Sequence, residues 1–113
     1  MPIIAKNLIK IAEYQNELNW QTFRPGIDVF PILGEPGTAA ACALLRYHAG
    51  AILPEHGHTG FEYILVLEGS QQDEYGNYEV GTLTINTPES SHNVSSPQGC
   101  IVLGIWQDNI EVK

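Results

Sequence analysis

Two histidines and a glutamate are spaced in a way that suits a metal site. His56 and His58 are two residues apart, and side chains two apart on an extended strand point to the same side. Glu62 follows four residues after His58, and a turn at Gly60 would place it on the neighbouring strand, facing the same interior. Because imidazole nitrogens bind divalent transition metals at about 2.1 Å, the spacing predicts that these side chains share one ion.

Two glycines frame this group and make the pattern more specific. Gly50 lies six residues before His56, and Gly69 lies seven residues after Glu62. The whole pattern, G-x5-H-x-H-x3-E-x6-G, outweighs the alternative that the histidines merely belong to a loop. It resembles the first motif of the cupin superfamily at every fixed position. The resemblance implies a jelly-roll barrel in which two histidines, one glutamate and a histidine from a second motif hold a divalent metal.

His92 is the histidine that the resemblance places in the second cupin motif, whose usual form is G-x5-P-x-G-x2-H-x3-N. The match departs from that form in its spacing, since six residues, rather than five, separate Gly81 from Pro88. It also departs at the asparagine position, where Ser96 stands. On this motif, the alternative for His92 is a histidine with no metal role.

A narrower group, the ChrR-like cupins, is similar to this chain over a longer stretch. Residues 86–92 read Asn-Thr-Pro-Glu-Ser-Ser-His, close to the N-P-P-G-S-S-H pattern of that group. Residues 73–78, Asp-Glu-Tyr-Gly-Asn-Tyr, also resemble it, and the similarity extends over residues 20–107. The ligand set that this resemblance implies is His56, His58, Glu62 and His92.

This ligand set narrows the metal and the chemistry. Three neutral imidazoles and one carboxylate suit one divalent transition metal, such as Fe(II), Zn, Mn, Ni or Co, and do not suit Ca or Mg. Four protein ligands would leave two positions of an octahedral ion open, as substrate or oxygen chemistry requires. The sequence identifies no catalytic residue beyond the ligands, because Glu62 is committed to the metal. The expected partner of the site is a small-molecule ligand or substrate in the barrel.

The resemblance implies two different functions, and both stay open. Some relatives cleave acetylacetone, which implies a metal-dependent dioxygenase acting on a chelating 1,3-dicarbonyl-like or other small organic substrate. The subfamily is named for an anti-sigma factor whose C-terminal cupin is regulatory, which implies a module that senses stress or a small molecule. Such a factor also needs an N-terminal sigma-binding helical domain. Since the cupin similarity begins near Trp20, we expect this chain not to be an anti-sigma factor itself.

Several polar and aromatic residues lie outside both motifs. We expect His48 to be a partly exposed histidine at a strand end, or else a support for a ligand. Arg46 shares its face and predicts a surface or interface ion pair, with anchoring of an anionic substrate as the alternative. We expect Glu68 to be solvated, and Trp20 and Trp106 to lie in the core or an interface.

The elements that must position these residues are mainly strands. Glycines and prolines interrupt the chain every few residues from Arg24 onward, which excludes long helices. Eight short apolar runs lie between them and predict an all-β cupin jelly-roll barrel. The predicted strands cover residues 27–33, 38–48, 51–55, 61–68, 70–75, 78–85, 91–96 and 100–107. Gly76-Asn77 predicts a tight hairpin turn, and a weak helical period over residues 8–15 predicts one or two helical turns.

The run over residues 61–68 is apolar on both faces, which predicts a cover for each. Tyr63, Leu65 and Leu67 point away from the side of Glu62, so they would lie outside the barrel. Three large apolar side chains seldom stay exposed in a monomer. Either the N-terminal segment or a second subunit must cover them, and the preferred interpretation is a homodimer built on the sheet surface.

Length and composition narrow the protein class and its partners. The 113 residues predict a single cupin domain, with an N-terminal extension over residues 1–19, a barrel over 20–107 and a tail over 108–113. The net charge of −8 would repel nucleic acid and anionic membranes. Cys42 and Cys100 predict buried reduced thiols, with one disulfide as the alternative. With no apolar run long enough for a signal peptide or a membrane span, we expect a cytoplasmic protein.

Overall fold

The protein folds as a curled antiparallel sheet of the jelly-roll barrel type predicted from the sequence. The computed structural model describes residues 1–112, and within them the sheet has ten strands. The strands are β1 Gln21–Arg24, β2 Ile27–Leu33, β3 Ala41–Tyr47, β4 Ala51–His58, β5 Glu62–Asp73, β6 Gly76–Glu79, β7 Leu83–Asn86, β8 Ser91–Ser96, β9 Cys100–Trp106 and β10 Ile110–Val112. All their pairings are antiparallel.

The long strand β5 joins the two halves of the barrel. The sheet order is β1-β2-β3-β9-β5-β8-β4-β10, and β6 and β7 both pair with β5. The register of β5 against β9 shifts between Val66 and Glu68, and a Cβ on Gly69 would collide with the carbonyl oxygen of Gly99. Gly69 therefore lets β5 bend across its neighbour and contribute to both halves.

Two glycines explain why some predicted strand bounds are wrong. The predicted strands over residues 61–68 and 70–75 form the single strand β5, because Gly69 bends the chain without ending its pairing. The predicted strand over residues 78–85 instead divides into β6 and β7, because Gly81 adopts a φ of +90° and turns the chain. The same residue type thus bends one strand and ends another.

The hairpin of β5 and β6 is confirmed, but its turn lies two residues earlier than predicted. Glu74 and Tyr75 form the turn between the paired residues Asp73 and Gly76, whereas the prediction placed it at Gly76-Asn77. The carboxylate of Asp73 accepts hydrogen bonds from the backbone N–H groups of Tyr75 (2.8 Å) and Gly76 (3.2 Å). An aspartate side chain, rather than a glycine with positive φ, therefore stabilises this turn.

Two apolar clusters lie on the two faces of the sheet. The interior cluster includes Ile64 and Val66, which share the inward face of β5 with Glu62 as predicted. The outer cluster includes Leu67, which packs with Ile11 and other residues of the N-terminal segment. The sequence left two possible covers for Leu67, the N-terminal segment or a second subunit. The N-terminal segment covers it within one chain.

The two ends of the chain pack on the sheet in different ways. The N-terminal segment contains the short helix α1, Ile11–Tyr14, between 3-10 turns at Leu8–Lys10 and Gln15–Glu17, which confirms one or two helical turns. No helix in the described part of the chain is long and apolar enough to cross a membrane. Strand β10, which was not predicted, lies in the expected tail and pairs with residues 56–58 of β4. Residue 113 of that tail lies outside the described residues.

Candidate metal centre

Strands β4 and β8 place His56 and His92 side by side inside the barrel. The two residues are direct partners in the register, and the centroids of their rings lie 4.4 Å apart. The register shifts between Leu53 and His56, so a bulge separates the apolar start of β4 from its histidine end. The strand also extends past its predicted end at residue 55, and this extension gives His56 and His58 the same inward orientation.

The turn between β4 and β5 brings Glu62 back to the histidines. A Cβ on Gly60 would lie 2.7 Å from Cβ of Asp108, so only glycine fits the turn at this position. Glu62 is the first residue of β5, and its Oε1 lies 3.0 Å from Nε2 of His58. The predicted group of three therefore forms across one tight turn.

The four residues that the sequence singled out form one buried cluster. Each offers a ligand atom, these atoms all lie within 4.8 Å of one another, and the residues are at most 4% exposed. Nε2 of His92 lies 2.9 Å from Nε2 of His56 and 3.4 Å from Oε1 of Glu62, while Nε2 of His56 lies 3.9 Å from Oε2 of Glu62. Donors that each bind one ion at about 2.1 Å lie roughly 3–4 Å apart, so this cluster fits a single ion.

The outer nitrogen of each imidazole faces a hydrogen-bond acceptor. Nδ1 of His56 lies 3.2 Å from the carbonyl oxygen of Pro54, and Nδ1 of His92 lies 3.4 Å from Oδ2 of Asp73. Nδ1 of His58 lies 3.1 Å from the carbonyl oxygen of Ser90. Carbonyl and carboxylate oxygens only accept, so each Nδ1 carries the proton and donates it.

This orientation leaves three lone pairs pointing at a carboxylate. A neutral imidazole protonated at Nδ1 has no proton on Nε2, and all three Nε2 atoms face the centre of the cluster. Burying such electron-rich atoms together is costly without a cation among them. The donor set is therefore that of a divalent transition metal site, in which outer partners orient the imidazoles.

The carboxylate of Glu62 accepts hydrogen bonds from two uncharged side chains. Nε1 of Trp106 donates to its Oε2 at 2.7 Å, and Nδ2 of Asn86 donates to its Oε1 at 3.0 Å. Burial raises the pKa of Glu62, but the hydrogen bonds that His56, His58 and His92 donate to its carboxylate when their Nε2 atoms carry a proton outweigh burial and hold the pKa well below its usual range. Glu62 is therefore a carboxylate at neutral pH, as a metal ligand must be.

Sequence reasoning missed these supporting residues. Trp106 was expected only in a core or an interface, and it is buried, but its indole N–H also fixes a candidate ligand. Asn86, Asp73 and Ser90 belong to stretches that resemble the ChrR-like group, and this was the only signal available for them. Their roles depend on which side chains meet across strands.

The space beside the cluster is small and mainly apolar. The interior cavity that His56, Glu62 and His92 line has a volume of about 10 Å³. Phe23 and Ile110 are among the apolar side chains that close it. Such a volume holds about one water molecule, so the barrel in this conformation has no room for an organic substrate beside the cluster.

His48 and Arg46 are not part of this centre. Nε2 of His48 lies 2.8 Å from Oδ2 of Asp28, and the side chain is 58% exposed, so the expectation of a partly exposed strand-end histidine is confirmed. Arg46 donates to the same Oδ2 at 2.9 Å, which confirms a surface ion pair, and its guanidinium stacks over Trp20. Glu68 is exposed, as expected.

The fold and the site together define a cupin, a small jelly-roll barrel with three histidines and a glutamate in its interior. A family model described as the ChrR cupin-like domain matches residues 10–106. The chain therefore belongs to the ChrR cupin-like domain family. The anti-sigma-E factor ChrR of Cereibacter sphaeroides is 33% identical over 91 residues, which are 77% of this chain and 41% of that protein. The chain thus spans about two fifths of the length of this curated relative.

Solved structures agree with this assignment. The complex of SigE with the anti-sigma factor ChrR from Rhodobacter sphaeroides matches with a TM-score of 0.68 and 28% identity, over 85% of this chain and 49% of that chain. An acetylacetone dioxygenase from Acinetobacter johnsonii matches with a TM-score of 0.67 and 16% identity, over 78% of this chain and 68% of that chain. At this identity, the second match shows the fold alone.

Proposed function

We propose that this chain is a metal-binding cupin that holds one divalent transition metal, Fe(II), Zn, Mn or Ni. The proposed ligands are His56, His58, Glu62 and His92. The observation that carries the proposal is the orientation of the imidazoles, whose Nδ1 atoms all face acceptors while their Nε2 atoms face the carboxylate. A bound metal would supply a Lewis-acidic centre for a small ligand, and the protein would orient the donors and exclude water.

Elemental analysis of the purified protein tests this proposal. After loading with Fe(II) or Zn(II) and desalting, we expect close to one metal per chain in the parent and a large loss in His56→Ala. His48→Ala is the matched control, because it removes an imidazole outside the cluster, and we expect it to keep full occupancy. Full occupancy in His56→Ala would show that the ligand assignment is wrong.

Of the two functions that the resemblance implies, the regulatory module is the one that the cavity favours. A cavity of about 10 Å³ has room for about one water molecule and not for a 1,3-dicarbonyl chelate. The family relationship to an anti-sigma factor supports the same choice. We therefore propose that the metal centre binds a small ligand and responds to it, without turnover of a large substrate.

A metal-dependent dioxygenase is the second candidate, and the fold match to an acetylacetone dioxygenase supports it. Oxygen uptake distinguishes the two candidates. The protein is loaded with Fe(II) without oxygen and then exposed to oxygen with a panel of 1,3-dicarbonyls. Turnover that is lost in His92→Ala would favour the dioxygenase, whereas metal binding without turnover would favour the regulatory module.

We also propose that two copies of the chain pair through the outer face of the sheet. The register places five uncharged side chains in one row across five neighbouring strands. The row is Leu33, Cys42, Ile105, Tyr63 and Ile85. Leu33, Ile105 and Ile85 are exposed, because the N-terminal segment covers a different part of this face. An apolar surface of this kind is typical of an interaction site.

A second copy suits this row better than another partner. Ile105 is its central member, so a two-fold axis through Ile105 would set each end of the row against the other end in the partner. Five strands spaced by about 4.8 Å make the row about 19 Å wide, and sheets pack face to face in this way in β-sandwiches. Because the row carries no charge, the net charge of −8 on each chain can remain outside the contact.

Sedimentation at micromolar concentration tests the dimer. We expect the parent to sediment at about twice its chain mass of 12.4 kDa, and Ile105→Glu to sediment as a monomer. Ile52→Glu is the matched control, since Ile52 is also an exposed strand isoleucine but lies on β4, outside the row. A monomeric parent, or equal effects of the two substitutions, would contradict the proposed interface.

We propose a cytoplasmic location for the protein, as the sequence predicts. Cys42 and Cys100 are free thiols, and a reducing compartment keeps them so. Burial raises the pKa of Cys100 to about 11, so this thiol is protonated and unreactive at neutral pH. Fractionation of the native host, with the chain detected by antibody, tests the location.

A further inference from the structure

The hairpin of β5 and β6 contains a buried carboxylate that the proposed metal site does not use as a ligand. Oδ1 of Asp73 accepts hydrogen bonds from the backbone of Tyr75 and Gly76 and, at 2.8 Å, from the hydroxyl of Tyr78. Its side chain is only 7% exposed. Because Oδ1 already has three donors, Oδ2 is the atom of Asp73 that remains for another partner.

That partner is His92 on the opposite strand. Oδ2 of Asp73 lies 3.4 Å from Nδ1 of His92, on the side of the ring away from the cluster. The next residue is held in the same way, because Oε1 of Glu74 accepts the backbone N–H of Asn93 at 2.7 Å. Two adjacent carboxylates of the hairpin therefore hold two adjacent residues of β8.

This contact matters because the backbone pairing between β5 and β8 is short. The register joins the two strands at Gln72 and Ser95, three residues from His92. His56 and His58, in contrast, receive their acceptors from backbone carbonyl groups of Pro54 and Ser90. His92 is thus the one candidate ligand, among the described residues, whose Nδ1 depends on a side-chain carboxylate.

We propose that Asp73 is a positioning residue for His92, and that the β5–β6 hairpin serves to hold the fourth metal ligand in place. The inference rests on the proposed metal site. Asp73 accepts the Nδ1 proton of His92, so the Nε2 lone pair points into the cluster, and the hairpin bonds to Oδ1 keep the carboxylate in position. This also gives a role to residues 73–78, which resemble the ChrR-like group but contain no ligand.

Asp73→Asn separates this role from the role of Asp73 in the turn. The amide oxygen of asparagine still accepts the turn hydrogen bonds, but its NH2 group faces Nδ1 of His92 and cannot accept a proton. Tyr78→Phe is the matched control, because it removes a hydrogen bond to Oδ1 and leaves Oδ2 and His92 unchanged. Asp73→Ser is a second variant for the case that Asp73→Asn does not fold, since serine also suits this turn position.

Zn(II) affinity is measured by competition with a chromophoric chelator. We expect Asp73→Asn and Asp73→Ser to bind Zn(II) about 10–100-fold more weakly than the parent, and Tyr78→Phe to bind with parental affinity despite a lower unfolding temperature. If Asp73 only stabilised the hairpin, Tyr78→Phe, which also destabilises the hairpin, would weaken Zn(II) binding as well. Parental Zn(II) affinity in a destabilised Tyr78→Phe, beside weak affinity in the Asp73 variants, therefore separates positioning of His92 from a purely structural role. Parental affinity in both Asp73 variants would overturn the proposal.

NMR of the His92 ring provides the second measurement. In both metal-free and Zn(II)-loaded parent, we expect the Nδ1 proton of His92 to be observable and slow to exchange with water, and to be lost in Asp73→Asn. If the parent binds no metal but shows this proton, the proposed function fails while the pairing of Asp73 with His92 holds. If the parent binds Zn(II) and the proton is absent, the metal site holds and this inference fails.

Discussion

The chain contains two histidine–carboxylate pairs of nearly equal length in opposite settings. His48 lies 2.8 Å from Asp28 and His58 lies 3.0 Å from Glu62, but the first histidine is exposed and the second is buried. Asp28 also pairs with Arg46, so its charge is balanced. Within residues 1–112, Glu62 lies beside three histidines and pairs with no lysine or arginine. Burial and the partners behind each ring, rather than distance, distinguish a candidate metal site from a surface ion pair.

The largest expected effect is on the metal-dependent unfolding temperature, which should depend on the His58–Glu62 pair and not on the His48–Asp28 pair. A ligand that binds only the folded state at 100 times its Kd stabilises it by about 2.7 kcal/mol. We expect Zn(II) to raise the unfolding temperature of the parent by on the order of 10 °C, and a chelator to reverse the change. His58→Ala should abolish this metal-dependent shift, and His48→Ala should retain it. A shift that survives in His58→Ala would place the metal elsewhere.

Acidification should empty the site before it affects Glu62. Imidazole ligands must be unprotonated to bind a metal, so protons compete with the metal as the pH falls from about 7.5 to about 5. The pKa of Glu62 is held well below its usual range, against the effect of burial, by the imidazoles beside it, so this carboxylate stays ionised in that interval. We expect occupancy to be high at pH 7.5 and low at pH 5. Occupancy that persists to about pH 4, measured after equilibrium dialysis, would contradict a three-histidine site.

The two tryptophans provide an intermediate test. Trp106→Phe removes the hydrogen bond to Oε2 of Glu62, and Trp20→Phe removes an equally short one to the carbonyl oxygen of Gln15. Each should destabilise the fold by about 1–2 kcal/mol in urea unfolding. Only Trp106→Phe should also weaken Zn(II) binding, by about tenfold, because its partner is a candidate ligand. Equal metal affinity in the two variants would show that the indole N–H has no role at the site.

Asp28→Asn should have the smallest effect. Burial raises the pKa of Asp28, but hydrogen bonds from His48 and Arg46 outweigh it and lower the pKa overall. A lowered folded-state pKa contributes stability above the ordinary value near 3.9, and this contribution is lost as pH falls through the folded value. We expect a loss of about 0.5 kcal/mol at pH 7 and a smaller one at pH 2. A change in metal occupancy would contradict the separation of the two histidine–carboxylate pairs.

The sequence was enough to predict the architecture of the fold, but it was not enough to predict where each strand begins and ends. Short apolar runs between frequent glycines and prolines predict a small antiparallel barrel. Sequence alone does not distinguish Gly69, which bends β5, from Gly81, which ends β6, because both adopt positive φ. Only the approach of Gly69 to Gly99 on β9 shows that pairing continues there.

The four candidate ligands could be predicted from the sequence, but the residues that orient them could not. The spacing of His56, His58 and Glu62, together with the ChrR-like resemblance around His92, is enough to name the cluster. Trp106 and Asp73 were not assigned to it, since a tryptophan in an apolar run and an aspartate in a turn have common structural explanations.

Local backbone geometry explains what the sequence by itself determined. Side chains two residues apart on a strand point to the same side of the sheet. The shared orientation of His56 and His58 therefore follows from spacing alone, and so does the set of residues on the inward face of β5. The meeting of His92 with His56, the acceptor behind each imidazole and the closed cavity were decided only by the tertiary structure. These features join residues far apart in sequence, and their distances depend on register, bulges and turns that no short segment specifies.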